Sequence, residues 1–169
     1  MPGRKAVGAV ICETIEDFAR AVPPGRPIAG LDLGTKTIGV AISDRLLGSA
    51  TPVETLKRAK FGADAARLLE LLGGRESGGV VLGLPRNMDG TEGPRAQSAR
   101  AFARNLERLT DLPMTFWDER LSTVAAERAL IEADASRARR AEVIDKVAAA
   151  YILQGALDRM AHLRAEERE

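Results

Sequence analysis

The sequence is poor in the residues that bind zinc or act as thiol nucleophiles. Among 169 residues it has one cysteine, Cys12, and one histidine, His162. A single cysteine cannot form an internal disulfide, so this usage predicts a reducing compartment. A cysteine nucleophile needs a partner base, and the histidine lies far away near the C-terminal end. The scarcity argues against a zinc centre and against cysteine catalysis.

Aromatic residues and unbalanced charge are also scarce. Aromatics make up 4% of the chain, which argues against a base-stacking platform, and Trp117 sits within an apolar run that predicts a core position. With 25 basic and 24 acidic residues the net charge is +1, so the chain is not a wholly basic nucleic-acid binder, although a local basic patch is compatible with this balance.

Long hydrophobic runs are missing as well. No apolar segment approaches the length of about 20 residues that a membrane span requires. The short run "AVGAVIC" is followed at once by "ETIED", which makes a poor signal peptide. We therefore expect a cytoplasmic protein with no membrane partner.

What is present indicates one domain with an appendage. Residues 1–26 predict an N-terminal extension, in which "ICETIEDFARA" forms a short helix before the linker "VPPGRP". The helix would place Ile11, Ile15, Phe18 and Ala19 on one side, either packed on the domain or serving as a partner-docking arm. Residues 27–160 form the expected domain, and residues 161–169 a polar tail.

The order of apolar patterns in the domain predicts an α/β fold. Three strands come first, at "PIAGLDLG", "TIGVAISD" and "TPVETL", the last an edge strand because of Pro52. Helices and strands then alternate, through "DAARLLELLGG", "GGVVLGLP", "PRAQSARAFARNLERL", "PMTFW", "TVAAERALIEA" and a long closing helix. The charged "DASRARR" before the closing helix reads as a loop. The pattern predicts a mixed five-stranded sheet, antiparallel in its first three strands and flanked by helices.

Three carboxylates stand where the local pattern favours apolar or neutral residues. Asp32 lies near the end of the first strand, Glu119 directly follows "PMTFW", and Asp145 lies at the edge of the apolar stripe of the closing helix. If the strands before Asp32 and Glu119 share a direction, both acids reach the same rim of the sheet.

Each acid also has a structural explanation. Asp32 could accept backbone N–H groups of the turn that follows it. The other two could form ion pairs, Glu119 with Arg120 or Arg67, and Asp145 with Lys146 or an arginine of "RARR". Together, however, three converging carboxylates repel one another unless a cation lies between them. Oxygen ligands of this kind favour Mg²⁺ or Mn²⁺, and such a cluster suits two-metal hydrolysis of phosphodiesters.

Four blocks carry a resemblance to a known family. "GLDLGTKTIGVAISD", "VVLGLPRNMDGTEGPRAQSARAF", "TFWDERLSTVAAE" and "VIDKVAAAYILQ" resemble the YqgF family, over roughly residues 28–157. These bacterial proteins have an RNase H-like fold, are related to the Holliday junction resolvase RuvC, and are described as nucleases that mature the 5′ end of 16S rRNA. The resemblance does not extend to residues 1–26.

The resemblance implies a site. It assigns Asp32, Glu119 and Asp145 as the catalytic, metal-binding acids of a hydrolase that leaves a 5′-phosphate and a 3′-hydroxyl, and it makes "GLPRNMDGTEG" a substrate-facing loop. Arg86 stands where the family is often apolar or variable. Basic and polar residues that flank the acids are candidate nucleic-acid contacts, namely Arg86, Asn87, Arg95, Arg120, Arg137, Arg139, Arg140 and Lys146.

The expected function is cleavage of structured RNA with Mg²⁺ or Mn²⁺, with pre-16S rRNA as the partner. A Holliday junction resolvase acting on branched DNA is one alternative, and a non-catalytic nucleic-acid-binding protein of the same fold is another. "DLGTKTIGVAISD" also resembles the first phosphate loop of the actin and sugar-kinase superfamily. Those proteins close two such domains over a nucleotide, and this chain has no second strand pair of that kind.

Overall fold

The computed structural model describes residues 11–121 and 137–168, and in the second range it describes side chains from residue 146 onward. The elements of its first half are β1 (Ile11–Cys12), α1 (Ile15–Ala21), β2 (Ile28–Leu33), β3 (Thr37–Ser43), β4 (Ala50–Lys57) and α2 (Phe61–Gly74). There follow β5 (Gly79–Leu84), α3 (Pro94–Leu106), β6 (Met114–Asp118), a single 3₁₀ turn (Glu119–Leu121) and α4 (Arg137–Glu167).

The strands form one mixed sheet in the order β1-β6-β5-β2-β3-β4. The pairs β2–β3 and β3–β4 are antiparallel, whereas β2–β5, β5–β6 and β1–β6 are parallel. The α/β class and the antiparallel meander are confirmed. β4 is an edge strand, and Pro52 lies beside a register shift in its pairing with β3, as expected of proline in a sheet.

The sheet has six described strands, so the prediction of five was wrong. The extra strand is Ile11–Cys12, which pairs in parallel with Met114 and Thr115 of β6. Ile11, which the sequence pattern placed in a helix, therefore lies in a strand. That helix begins only at Ile15, because Thr14 caps it by accepting a hydrogen bond from the backbone N–H of Asp17.

Helices cover both faces of the sheet. On one face α2 and α3 bury Leu68, Leu72, Phe102 and Leu106 against alternate residues of β2, β3 and β5. On the other face α4 buries Ile152, Leu153, Ala156 and Leu157 with Ile28 and Val81, and α1 adds Phe18, which is fully buried. Trp117 packs against this second cluster. β5 is buried along its whole length because both faces are covered.

The closing helix, α4, is longer at both ends than the sequence pattern predicted. The predicted helix "TVAAERALIEA" lies outside the described residues. α4 begins at Arg137, so the arginines of "RARR" are helical rather than part of a loop. The helix continues to Glu167, through most of the residues predicted as a polar tail. No helix in the described ranges is long and apolar enough to cross a membrane.

Candidate active site

The carboxyl ends of three parallel strands form one rim of the sheet. β2, β5 and β6 run in the same direction, with Asp32 as the penultimate residue of β2 and Glu119 directly after β6. Polar groups at this rim sit where ligands bind in open α/β sheets. The strands that precede Asp32 and Glu119 therefore run in the same direction, and both acids lie at the same rim, which was the condition stated from the sequence.

Asp32 faces α4 and is almost completely buried. Side chains alternate along a strand, and a Cβ added to Gly30 would lie 2.6 Å from the Cβ of Leu153 in α4. Asp32, two residues on, therefore lies on the same face, and it is 1% exposed. A carboxylate at this depth is costly unless hydrogen bonds or a cation compensate its charge.

Glu119 reaches the same face from the other side of β5. A Cβ added to Gly83 would lie 3.3 Å from the Cδ of Glu119 and 2.4 Å from the Cδ1 of Ile152 in α4. Leu82 pairs with Leu31, so Gly83 and Asp32 are next along their adjacent strands. The half-buried carboxyl group of Glu119 thus lies over the strand beside Asp32, and the absence of a side chain at Gly83 makes room for it.

The backbone of α4 brings residue 145 to the level of Asp32. The C-terminal turns of α4 lie near Leu47, in the connection between β3 and β4. That connection is at the same end of the sheet as the start of β2, so the N-terminal turns of α4 lie toward the rim that carries Asp32. Ala149 lies against Gly30, and residue 145 precedes Ala149 by four helical residues, or about 6 Å along the helix. Asp32 lies about 6.6 Å beyond Gly30 along β2, so residue 145 and Asp32 are at about the same level. The side chain of Asp145 lies outside the described residues.

The donor chemistry of the rim fits a hard divalent cation. Asp32 and Glu119 supply carboxylate oxygens on the same face of the sheet, on either side of the line between β2 and β5. Gly83 lies between them on β5, and a side chain there would crowd the carboxyl group of Glu119. Oxygen ligands of this type suit Mg²⁺ or Mn²⁺. Within the described ranges, no group of three or more acidic, histidine or cysteine side chains forms a complete metal site.

The loop after β5 is a small hairpin closed by hydrogen bonds. Arg86 and Glu92 pair as an isolated antiparallel bridge, the backbone N–H of Asn87 donates to the Thr91 oxygen at 2.9 Å, and Gly90 turns the chain with φ +89°. Only glycine adopts that φ without strain. The Asn87 side chain also donates to the hydroxyl of Thr91, so this predicted nucleic-acid contact has a partner inside the loop.

Arg120 ties that hairpin to the end of β6. Its guanidinium lies 2.7 Å from an oxygen of Asp118 and donates to the backbone oxygen of Met88 at 3.3 Å. The pairing lowers the pKa of Asp118, chiefly through the hydrogen bond from the Arg120 side chain. Arg120 therefore pairs with Asp118, although the structural explanation of Glu119 had offered Arg120 or Arg67 as its ion-pair partner.

A second ionic contact closes the base of the hairpin. Arg100 of α3 donates two hydrogen bonds to Glu92, at 2.6 and 2.7 Å, and lies 4.9 Å from the ring centre of Phe116. Arg86 approaches Glu92 at 3.4 Å. The hydrogen bond from Arg100 is the main reason that the pKa of Glu92 lies below its ordinary value.

These depressed pKa values predict an acid-sensitive hairpin. A carboxyl whose pKa is lower in the folded state stabilises the fold above its unfolded pKa of about 4, and that stability is lost as pH falls through the folded pKa. We expect the thermal midpoint of Glu92→Gln to fall less between pH 6 and pH 3 than that of the wild type. Glu70→Gln, an exposed change on α2, is the control and should follow the wild type. Parallel pH profiles for Glu92→Gln and wild type would contradict the assignment.

The predicted nucleic-acid contacts separate into groups. Arg86, Asn87 and Arg120 gather at the hairpin, and Lys146 is half-buried in the turn of α4 nearest the rim. Arg95 lies apart from them, exposed at the second position of α3. The side chains of Arg137, Arg139 and Arg140 lie outside the described residues. Arg58, which follows β4 directly and donates to the backbone oxygen of Gly34, was not among the predicted contacts.

Comparison with known proteins fits this geometry. Residues 26–159 match the family model described as "RuvX: Holliday junction resolvase". The chain belongs to the RuvX family. The resemblance to YqgF proteins seen in the sequence is thereby confirmed, and the family match includes the segments that carry Asp32, Glu119 and Asp145.

Other RuvX relatives are similar over nearly their whole length. A protein of Ruegeria pomeroyi is 70% identical over 154 residues, covering 91% of this chain and all of the relative. One of Paracoccus denitrificans is 68% identical over 158 residues, covering 94% of this chain and all of the relative. Both are named "Putative pre-16S rRNA nuclease".

Solved structures support the fold of this RuvX chain. Thermus thermophilus RuvC in complex with a Holliday junction substrate superposes with a TM-score of 0.51 and 17% identity, covering 80% of this chain and 96% of that one. A second Thermus thermophilus RuvC structure gives a TM-score of 0.50 and 18% identity, with 80% and 97% coverage. The fold is RNase H-like, as the sequence predicted.

Proposed function

We propose that this RuvX protein is a divalent-metal-dependent nuclease that hydrolyses phosphodiester bonds of structured RNA during 5′-end maturation of pre-16S rRNA. The observation that carries the proposal is the arrangement of Asp32 and Glu119. They lie on one face at one rim of the sheet, with the backbone of residue 145 at the same level. Three carboxylates that meet there would require a cation between them.

In this proposal Asp32, Glu119 and Asp145 hold Mg²⁺ or Mn²⁺. The ions supply activation of water and neutralisation of charge on the reacting phosphate. The burial of Asp32 fixes the orientation of its carboxylate, and Glu119 presents its carboxylate at the opening of the rim. A water oxygen bonds to phosphorus as the bond to the 3′ oxygen breaks, which leaves a 5′-phosphate and a 3′-hydroxyl.

The choice of RNA draws on the relatives and on the composition. The similar proteins of Ruegeria and Paracoccus carry a name that refers to pre-16S rRNA. The low aromatic content favours recognition of phosphates and shape over base stacking, as is usual for folded RNA.

Branched DNA is the second candidate substrate. The description of the matching family model, Holliday junction resolvase, favours it. Resolution of a junction requires two symmetric cuts, and therefore a symmetric dimer with two sites. A third candidate, nucleic-acid binding without catalysis, gives no reason for two carboxylates to lie on one face at the same rim.

One experiment separates the three candidates. The protein is incubated with a pre-16S RNA fragment that spans the mature 5′ end, and in parallel with a synthetic four-way DNA junction, each with Mg²⁺, Mn²⁺ or EDTA. We expect cleavage of the RNA with either metal ion, products with a 5′-phosphate, and no cleavage in EDTA. Preferred, symmetric cutting of the junction would replace the RNA proposal with resolution. Binding without cleavage under every condition would refute catalysis.

A further inference from the structure

We infer that a cleft on the opposite face of the sheet from Asp32 binds a phosphate of the nucleic-acid strand next to the one that is cleaved. This inference rests on the proposed function. The cleft has a volume of about 540 Å³ and opens at the end of β2. Its walls include Leu33, Gly34, Thr35, Arg58, Arg95 and Ser98.

Arg58 is held in place at the end of β2. Its Nη1 donates to the backbone oxygen of Gly34 at 2.6 Å, and its own backbone N–H donates to the oxygen of Lys36 at 2.8 Å. Its guanidinium carbon lies 5.7 Å from the ring centre of Phe102. A guanidinium has five N–H donors in a planar fork, so a bond to Gly34 and a flat aromatic neighbour orient it while donors remain for a ligand.

Arg95 lines the same cleft from α3. It is the second residue of that helix, directly after Pro94, and it is exposed. The N-cap residue is Gly93, so no side chain caps the first turn. The N-terminal end of a 13-residue helix adds backbone N–H groups and positive potential to the two arginines.

The charges of this cleft are not neutralised within the part of the chain that the structure describes. There, neither Arg58 nor Arg95 forms an ion pair, whereas Arg86, Arg100 and Arg120 each approach a carboxylate. Asp64, the acid bonded to the cleft wall, is buried and accepts a hydrogen bond from the Ala59 backbone. One oriented guanidinium, that of Arg58, and a second, exposed one, that of Arg95, line the same cleft without a described carboxylate partner, which fits an anion with several acceptor oxygens such as a phosphate.

The position of the cleft defines a path for the strand. Asp32 faces α4, and Leu33 packs on the other face with α3. Gly34, the acceptor for Arg58, lies two residues beyond Asp32, or about 6.6 Å along an extended chain. A strand whose scissile phosphate lies at Asp32 would therefore cross the rim and place a neighbouring phosphate between Arg58 and Arg95.

The test is binding measured without cleavage. Fluorescent pre-16S RNA is titrated with Arg95→Ala, Arg58→Met and wild type in EDTA, at several salt concentrations. We expect Arg95→Ala to weaken binding roughly three- to tenfold and to reduce the slope of log affinity against log salt by about one phosphate contact. Arg104→Ala, the same change at an exposed site later on α3, is the control and should match the wild type. Thermal melts report whether each variant is folded.

The outcomes separate this inference from the proposed function. If the wild type binds and cleaves RNA, and folded Arg95→Ala keeps both the affinity and the salt slope of Arg104→Ala, the cleft has no role and only the inference fails. If the wild type neither binds nor cleaves nucleic acid, both fail. Inorganic phosphate is a competitor arm. Displacement of RNA by low-millimolar phosphate, lost in Arg95→Ala, would assign the cleft to free phosphate instead.

Discussion

Asp32→Asn is expected to abolish phosphodiester cleavage while the protein stays folded. The substitution keeps the shape of the side chain and removes its negative charge, at a position that is 1% exposed. We expect the cleavage rate with Mn²⁺ to fall by at least about 10²- to 10³-fold, the range found when one preorganised electrostatic group is removed from an active site. The measurement is the single-turnover rate on the pre-16S RNA fragment.

Asp158→Asn is the matched control for this prediction. It makes the same charge change at an exposed residue of α4, next to Gln154. The control should cleave at the wild-type rate, and both variants should bind RNA in EDTA as tightly as the wild type. Titration with Mn²⁺ adds a second readout, since Asp32→Asn should lose metal affinity and Asp158→Asn should not. Cleavage by Asp32→Asn at the wild-type rate would disprove the metal assignment.

The sequence was sufficient to predict strands β2 to β6 and the rim that Asp32 and Glu119 share. Alternating and continuous apolar runs are local signals. They identified β2 to β6 because the apolar residues within each of these strands are the ones that it buries in the core. The strand directions then follow from the connections. A short turn joins the antiparallel β2 and β3, and helices join the parallel strands. The shared rim of Asp32 and Glu119 is a consequence of these local signals.

Features that depend on long-range pairing were not predictable. β1 is two residues long, too short for a periodic signal, and it exists because Ile11 and Cys12 find the open edge of β6 about a hundred residues later. The partner of Arg120 could not be chosen between Asp118 and Glu119 until the direction of each side chain was known. Arg58 becomes a candidate phosphate ligand only because Gly34 and Phe102, far apart in the chain, fix its guanidinium.

Gly30→Ala is expected to destabilise the protein more than any other single methyl added to the sheet face under α4. The new Cβ would lie 2.6 Å from the Cβ of Leu153 and 2.8 Å from the backbone oxygen of Ala149. Neither atom can rotate away, so α4 must move. Overpacking of this kind costs about 2–3 kcal/mol, or a fall of about 5–10 °C in the thermal midpoint of a domain of this size.

The same displacement should impair the site, because α4 carries Asp145 one turn before Ala149, and a shift of about 1 Å in an active site can cost about 10²-fold in rate. Gly62→Ala is the control: nothing lies within 4 Å of its added Cβ, so stability should be unchanged or slightly higher.

Gly83→Ala distinguishes backbone from side-chain contact. Its closest neighbour, at 2.4 Å, is the Cδ1 of Ile152, the end of a flexible side chain, so it should lose less stability than Gly30→Ala. Equal stability of Gly30→Ala and Gly62→Ala would mean that α4 does not lie against β2 at Gly30, and the placement of residue 145 beside Asp32 would fail with it.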